Sequence, residues 1–157
     1  MSEEMERSDE GRAPLGLVEA WVWTATQTTR VRGVTTALLA IYPGVLDVQP
    51  TRVGRRMKVP QLRYDAPVVF LDRITWFRTL PWPRTTGLLM ESEGTLARVV
   101  VRKVGLTRRL LRQAGFAVVE VTHQGYGEVP SPLTAEQAGP YRDQLPPSFF
   151  RHPLGGP

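Results

Sequence analysis

The chain has 157 residues, no cysteine, and 20 basic against 15 acidic residues for a net charge of +5. That length is about one domain's worth, and the lack of cysteine excludes disulfides, thiolate nucleophiles and sulfur-ligated metals together. No window reaches the ~18 consecutive apolar residues of a membrane-spanning helix, and the opening MSEEMERSDEGR is acidic where a secretion signal is basic and then apolar. The expected setting is cytoplasmic, with peripheral membrane association as an extension. Lys58 and Lys103 are the only lysines among the 20 basic residues. A GC-rich genome alone produces such an arginine bias, so where the charges sit says more than their sum.

In chain order, residues 1–16 hold Glu3, Glu4, Glu6, Asp9 and Glu10 with almost nothing apolar to bury, which predicts a disordered acidic N-terminus. From 17 to 123 the dominant period is two, the signature of half-buried strands. LVEAWVWTAT (17–26) is rich in the aromatic and β-branched residues that fit a pleated surface. TALLAIYPGVLDVQPTR (36–52) reads as an antiparallel hairpin, because Pro43 presets the first central turn position and Gly44 accepts the positive φ of the second. A basic connection, TRVGRRMKVPQLRYD (51–65), follows. PVVFLDRITWFRTL (67–80) supplies one or two further strands, ended by Pro81-Trp82-Pro83, since proline cannot donate to a ladder.

TGLLMES (86–92) turns through Glu93-Gly94 into TLARVVVRKV (95–104), a second hairpin. In its outgoing strand Ala97, Val99 and Val101 share one face, while Arg98 and Arg102 flank Val100 on a face expected to meet solvent. LTRRLLRQAG then sets Leu106, Leu110, Leu111 and Ala114 on one helical arc and Arg108, Arg109 and Arg112 on the other, with Gly115 as a left-handed stop. So short a helix is marginal alone and must lay its leucines on a sheet. FAVVEV (116–121) reads as a strand. Residues 124–157 interleave Pro and Gly densely and read as a mostly irregular tail apart from one turn around Leu133 to Ala138, although Tyr126, Tyr141, Phe149 and Phe150 are costly to leave in water and offer parts of it a way to pack on the domain or engage a partner. The fold class expected is mainly β with a minor α component: a strongly bent antiparallel sheet or partly open barrel, closed by one short amphipathic helix, and not a βαβ architecture.

This order, with the YPG hairpin, a D-x-I-x-x-F segment at Asp72, Ile74 and Phe77, a late hairpin and a short helix ending in RQAGF, resembles the bacterial PH-like domains over roughly residues 17–121. The resemblance implies a small bent sheet closed by one helix and an adaptor role. The strand predicted at 116–121 departs from it, since in that fold the closing helix is longer and little follows it.

No catalytic constellation is present. His123 and His152 have no carboxylate or second histidine at ligand spacing and read as surface histidines. No serine sits in a G-x-S-x-G elbow. Gly125-Tyr126-Gly127 reads as a turn, and Glu91 and Glu93 merely bracket one. No enzyme, cofactor or metal is expected. The candidate anion-binding residues are Arg52, Arg55, Arg56, Lys58 and Arg63, with no acid between Asp47 and Asp65, together with Arg108, Arg109 and Arg112 on the helix. Arginine forks match phosphate oxygens. The expected function is thus a binding or adaptor domain for a protein partner or an anionic, phosphate-bearing surface such as a membrane. Nucleic acid is the alternative, bound by the basic loop 51–65 and the helix 106–115 with Trp82 or Trp76 as a stacking platform, and it is disfavoured because stacking readers interleave exposed aromatics with the cations, whereas this loop holds only Tyr64. The plain alternative for every one of these cations is a solvated surface.

Overall fold

The computed structural model describes residues 13–24, 34–78, 85–92, 94–123, 127 and 130–150. Of residues 1–16, expected to be disordered, 1–12 lie outside the described residues, as do the Pro81-Trp82-Pro83 run, Tyr126 and His152, and the expectation is corrected at Leu15, whose N–H bonds Ile41 O, and at Gly16, which begins a strand. Eight strands form one curled sheet, a half-barrel. They are β1 (Gly16–Trp23), β2 (Ala37–Tyr42), β3 (Val45–Pro50), β4 (Leu62–Tyr64), β5 (Val68–Ile74), β6 (Thr85–Ser92), β7 (Thr95–Val101) and β8 (Ala117–Thr122). Their order across the sheet is β4-β3-β2-β1-β7-β6-β5-β8. Among the described residues there are three short helices, α1 (Arg52–Arg56), α2 (Val104–Gln113) and α3 (Ala135–Ala138), followed by two 3₁₀ turns at Gly139–Gln144 and Pro147–Phe150.

The hairpin expected at 36–52 is β2–β3, closed by a two-residue turn in which Tyr42 pairs with Val45 and Gly44 has φ 74°. Strand alternation then builds the core. The ladders align Val18 with Leu39 and Val48, and Val22 with Val99, Leu88 and Leu71, all on one face and all buried. Leu110 and Leu111 of α2 join that core and Leu106 is half-buried against it, as the helical arc predicts. At the helix end Gly115 has φ 92° and its N–H reaches Arg112 O, while Phe116 N reaches Leu111 O, a Schellman loop that buries Phe116.

Three expectations are corrected. The sheet is not wholly antiparallel, because β8 pairs in parallel with β5. Since β7 also runs parallel to β5, α2 is a β–α–β crossover, which lets a strand that follows a helix rejoin the sheet at its edge. The second face of β7 does not meet solvent at Arg98, which is fully buried, although Arg102 is exposed and pairs with Glu19 at 2.7 Å. Finally, residues 130–150 are part of the domain: Leu133, Ala138, Leu145 and Phe149 belong to the main core, and Phe149 packs on Tyr64 with ring centroids 6.3 Å apart. A Thr134/Gln137 capping box starts α3 and Leu133 N bonds Phe149 O, so apolar anchors and local caps fix a segment whose Pro and Gly content suggested a tail.

Candidate functional site

The basic connection folds into a corner at the end of β3. Thr51 is the N-cap of α1: its Oγ1 accepts from Gly54 N at 3.1 Å and donates to Thr35 O at 2.8 Å, while Thr51 N donates to Thr36 O at 3.0 Å. Gly54 lies so close to β2 that a Cβ there would collide with the Thr36 carbonyl oxygen. At the other end, Lys58 N bonds Arg55 O at 3.1 Å and Val59 N bonds Gly54 O at 2.9 Å. This is a second Schellman loop, with buried Val59 as its apolar anchor and Lys58 at φ 60° in the place where glycine is favoured.

Four cationic side chains, Arg52, Arg55, Arg56 and Lys58, therefore project into solvent from a backbone fixed at both ends. None has an ion-pair partner among the described residues, and no acid lies in the helix. Arg63 is apart from them: it is exposed on β4, directly across from Asp47 of β3.

The helix arginines sit elsewhere. Arg108 is paired with Glu120 of β8 at 2.5 Å, and Arg109 and Arg112 are exposed. Ala114, just past them, accepts from Gly44 N at 2.9 Å, which ties this end of α2 to the β2–β3 turn. The α1 corner lies at the opposite end of β3, a six-residue strand that spans roughly 17 Å at ~3.4 Å per residue. Seven of the eight candidate cations thus divide between two ends of one hairpin, Arg63 lies on β4 between them, and the eight do not form a single cluster.

A polar network that sequence reasoning missed lies on the other side of β7. Arg98 donates through Nε (3.0 Å) and Nη2 (2.5 Å) to Asp72 Oδ2 and through Nη1 to Gly127 O at 2.5 Å, and its Nη2 is 2.7 Å from His123 Nδ1. His123 Nδ1 is in turn 3.3 Å from Asp72 Oδ2. Arg98, Asp72 and His123 are 0%, 2% and 8% exposed, so the expectation that His123 is a surface histidine is corrected. It is buried because β8 carries it next to β5, where its N–H bonds Arg73 O at 2.9 Å.

Burial pushes the Asp72 carboxyl upward, but the His123 contact and the Arg98 charge outweigh it and hold the group below the ordinary carboxylate value. Burial lowers Arg98 against the opposing pull of Asp72. One oxygen, Asp72 Oδ1, is buried with no hydrogen-bond partner. Asp72 and His123 form part of the wall of a cavity of about 80 Å³, completed by Leu89, Leu133, Thr134 and Gln137. No group of three or more metal-ligating side chains exists among the described residues.

The two regions offer different chemistry. The α1 corner presents fixed, solvated cations suited to anionic oxygens, and the Arg98 network presents a buried, charge-balanced cluster. Comparison with protein-family models, with curated proteins and with solved structures returns no match for the chain.

Proposed function

We propose that the chain is a non-enzymatic binding domain that docks through the α1 corner onto an anionic, phosphate-bearing membrane surface. The observation that carries this reading is the corner itself, with Arg52, Arg55, Arg56 and Lys58 all exposed around five helical residues and the turn that follows them. Cations held on a rigid turn lose little conformational freedom on contact with an anionic surface, and each contributes about 1 kcal/mol there. Lys58 supports the same reading. A non-glycine residue at φ 60° costs about 1–2 kcal/mol, and keeping a charged residue at that cost fits a need for its charge. The PH-like resemblance, in which a small bent sheet serves as an adaptor, is consistent with this role and with a peripheral, cytoplasmic setting.

Co-sedimentation with vesicles of phosphatidylserine and phosphatidylcholine, against phosphatidylcholine alone, tests the proposal. Binding is expected only to the anionic vesicles, to weaken with salt as the ~8 Å screening length takes hold, and to fall about thirty-fold in Arg55→Glu/Arg56→Glu, taking ~1 kcal/mol for each cation removed. Equal binding by that variant overturns the proposal. Tight binding of a single-stranded oligonucleotide that is lost in Trp76→Ala, the side chain that is 64% exposed, establishes the nucleic-acid reading in its place.

A further inference from the structure

The α1 corner carries apolar side chains among its cations. Four large hydrophobic residues are exposed among the described residues, Leu15, Leu17, Val53 and Trp76, and of these Val53 stands inside the basic connection, between Arg52 and Arg55. The seat of Gly54 against the Thr36 carbonyl fixes how the other side chains of α1 point. At about 100° per residue, Arg52 and Arg56 fall within about 20° of the direction opposite Gly54, and Arg55 lies about 100° to one side. Val53 lies about 100° to the other side, and Met57, one turn later, about 60° round on that same side. The Met57 N–H bonds Val53 O at 3.1 Å, which stacks the two. Burial agrees: the three arginines and Val53 are exposed, and Met57 is half-buried. The corner thus has one apolar flank, Val53 over Met57, bordered by Arg52 and Arg56 and followed by Lys58.

Valine gives the helix nothing in this place. A β-branched residue is a poorer helix former than the arginines beside it, and an exposed flank returns none of that loss through burial. A dissolved phosphate has no use for it either, because the arginine forks satisfy the anionic oxygens and the methyl groups find no apolar partner. A bilayer differs, since its phosphates lie directly over hydrocarbon. An element lying in that interface turns its cations to the headgroups and sinks its apolar groups ~5–10 Å into the acyl boundary. We infer that Val53, with Met57 behind it, inserts between the headgroups when the α1 corner docks, so that the partner presents phosphate and hydrocarbon together: a bilayer, and not a dissolved polyphosphate.

This inference rests on the membrane-docking reading above and adds to it a contact that salt does not weaken. Screening acts on exposed charges and leaves apolar burial in place. The cations therefore bring the corner to the surface, and the apolar flank sets the affinity that remains once they are screened. Penetration is shallow, because Gly54 on the Thr36 carbonyl and Val59 in the core hold α1 against the sheet, so that side chains enter the bilayer and the helix backbone does not.

The test uses the full chain against vesicles of phosphatidylserine and phosphatidylcholine and against dissolved inositol hexakisphosphate, which carries phosphate without hydrocarbon. Val53→Thr keeps the β-branched shape and replaces one methyl by a hydroxyl. Its affinity for the vesicles is expected to fall about five-fold, the order that follows from losing the burial of a valine that is 41% exposed in the free protein. The factor should be the same at low and at high salt, and affinity for inositol hexakisphosphate should not change. In the unmodified chain, carrying isotope-labelled methionine and bound to nanodiscs of the same lipids, a spin label placed high on the acyl chains is expected to broaden the Met57 methyl signal and to leave that of Met90, which is 1% exposed, sharp. Insertion is overturned by a Val53→Thr chain that binds vesicles as tightly as the unmodified one, by an equal fall towards both ligands, or by a Met57 methyl that the labelled lipid leaves sharp. Those results leave membrane docking standing, whereas an unmodified chain that binds no anionic vesicle overturns docking and insertion together. The methyl signals decide the matter without any variant should Val53→Thr fail to fold.

Discussion

Replacing Arg98 by methionine removes the charge from the centre of the buried network while keeping most of the side chain's apolar stem. Arg98 is fully buried and Asp72 is 2% exposed, so the variant leaves a carboxylate inside the protein without its counter-ion and without the Nε and Nη2 bonds to Oδ2. Gly127 O and His123 Nδ1 lose a donor at the same time. Breaking a buried pair by removing one partner costs about 3–5 kcal/mol, and in a chain of this length each kcal/mol lowers the melting temperature by about 2–4 °C, so a fall of ~10 °C is expected.

The assay is urea unfolding followed by tryptophan fluorescence, with the transition of the unmodified chain as reference. The pH dependence carries a sign. Asp72 titrates below its unfolded value, so its contribution is complete above about pH 4, the ordinary carboxylate range, and is lost as pH falls through the lower folded value. In Arg98→Met the unpaired carboxylate gains by protonation, and the gap between variant and unmodified chain should close towards acid. Pairing Arg98→Met with Asp72→Leu should recover much of the loss, because neither charge is then stranded. A cost below about 1 kcal/mol for the single variant, or a gap that widens at low pH, refutes the reasoning.

Three further outcomes are expected. Leu111→Ala, at a fully buried position of α2, should cost about 2–5 kcal/mol by denaturant unfolding, and an unchanged midpoint would contradict the packing of the crossover helix. Phe149→Ala should cost about 3–5 kcal/mol and should speed proteolysis within 130–150, since that ring anchors the segment against Tyr64. Lys58→Gly should stabilise the fold by up to about 1 kcal/mol while weakening vesicle binding, because it relieves the positive φ and deletes a cation; a loss of stability would exclude the Schellman assignment.

What the sequence makes legible is what neighbouring residues decide. Pro43-Gly44 dictates a hairpin by turn chemistry alone, and the 100° spacing of Leu106, Leu110 and Leu111 dictates which side of α2 is buried. The exposed cations of the α1 corner are likewise visible as a run of charge. Arg98 is not legible, because a single arginine in an alternating strand reads as solvent-facing until its partners are known, and those partners, Asp72 and Gly127, lie 26 and 29 residues away. His123 stays hidden for the same reason: nothing beside it in the chain is a ligand or a base, and only the parallel pairing of β8 with β5 brings it to Asp72. The docked segment 130–150 is legible only in part: the cost of exposing Tyr141, Phe149 and Phe150 marks candidate anchors, but its Pro and Gly describe only the backbone's turns and nothing local says which core residues those anchors meet.

The position of β1 bears on how the chain is made. This first strand ends up in the interior of the sheet, with β2 on one side and β7 on the other. Its pairing with β2 needs only a local connection, and a β1–β4 meander can form as soon as residue 64 has left the ribosome. The opposite edge of β1, however, is completed only by Ala20–Trp23 meeting Arg98–Val101, some eighty residues downstream. During synthesis an apolar edge bearing Trp21, Val22 and Trp23 waits for a strand not yet translated, and closing so long a loop sets the pace of assembly. Nascent chains released before residue 95 carry that open edge permanently, which makes prematurely terminated products of this protein the species most prone to strand-to-strand association.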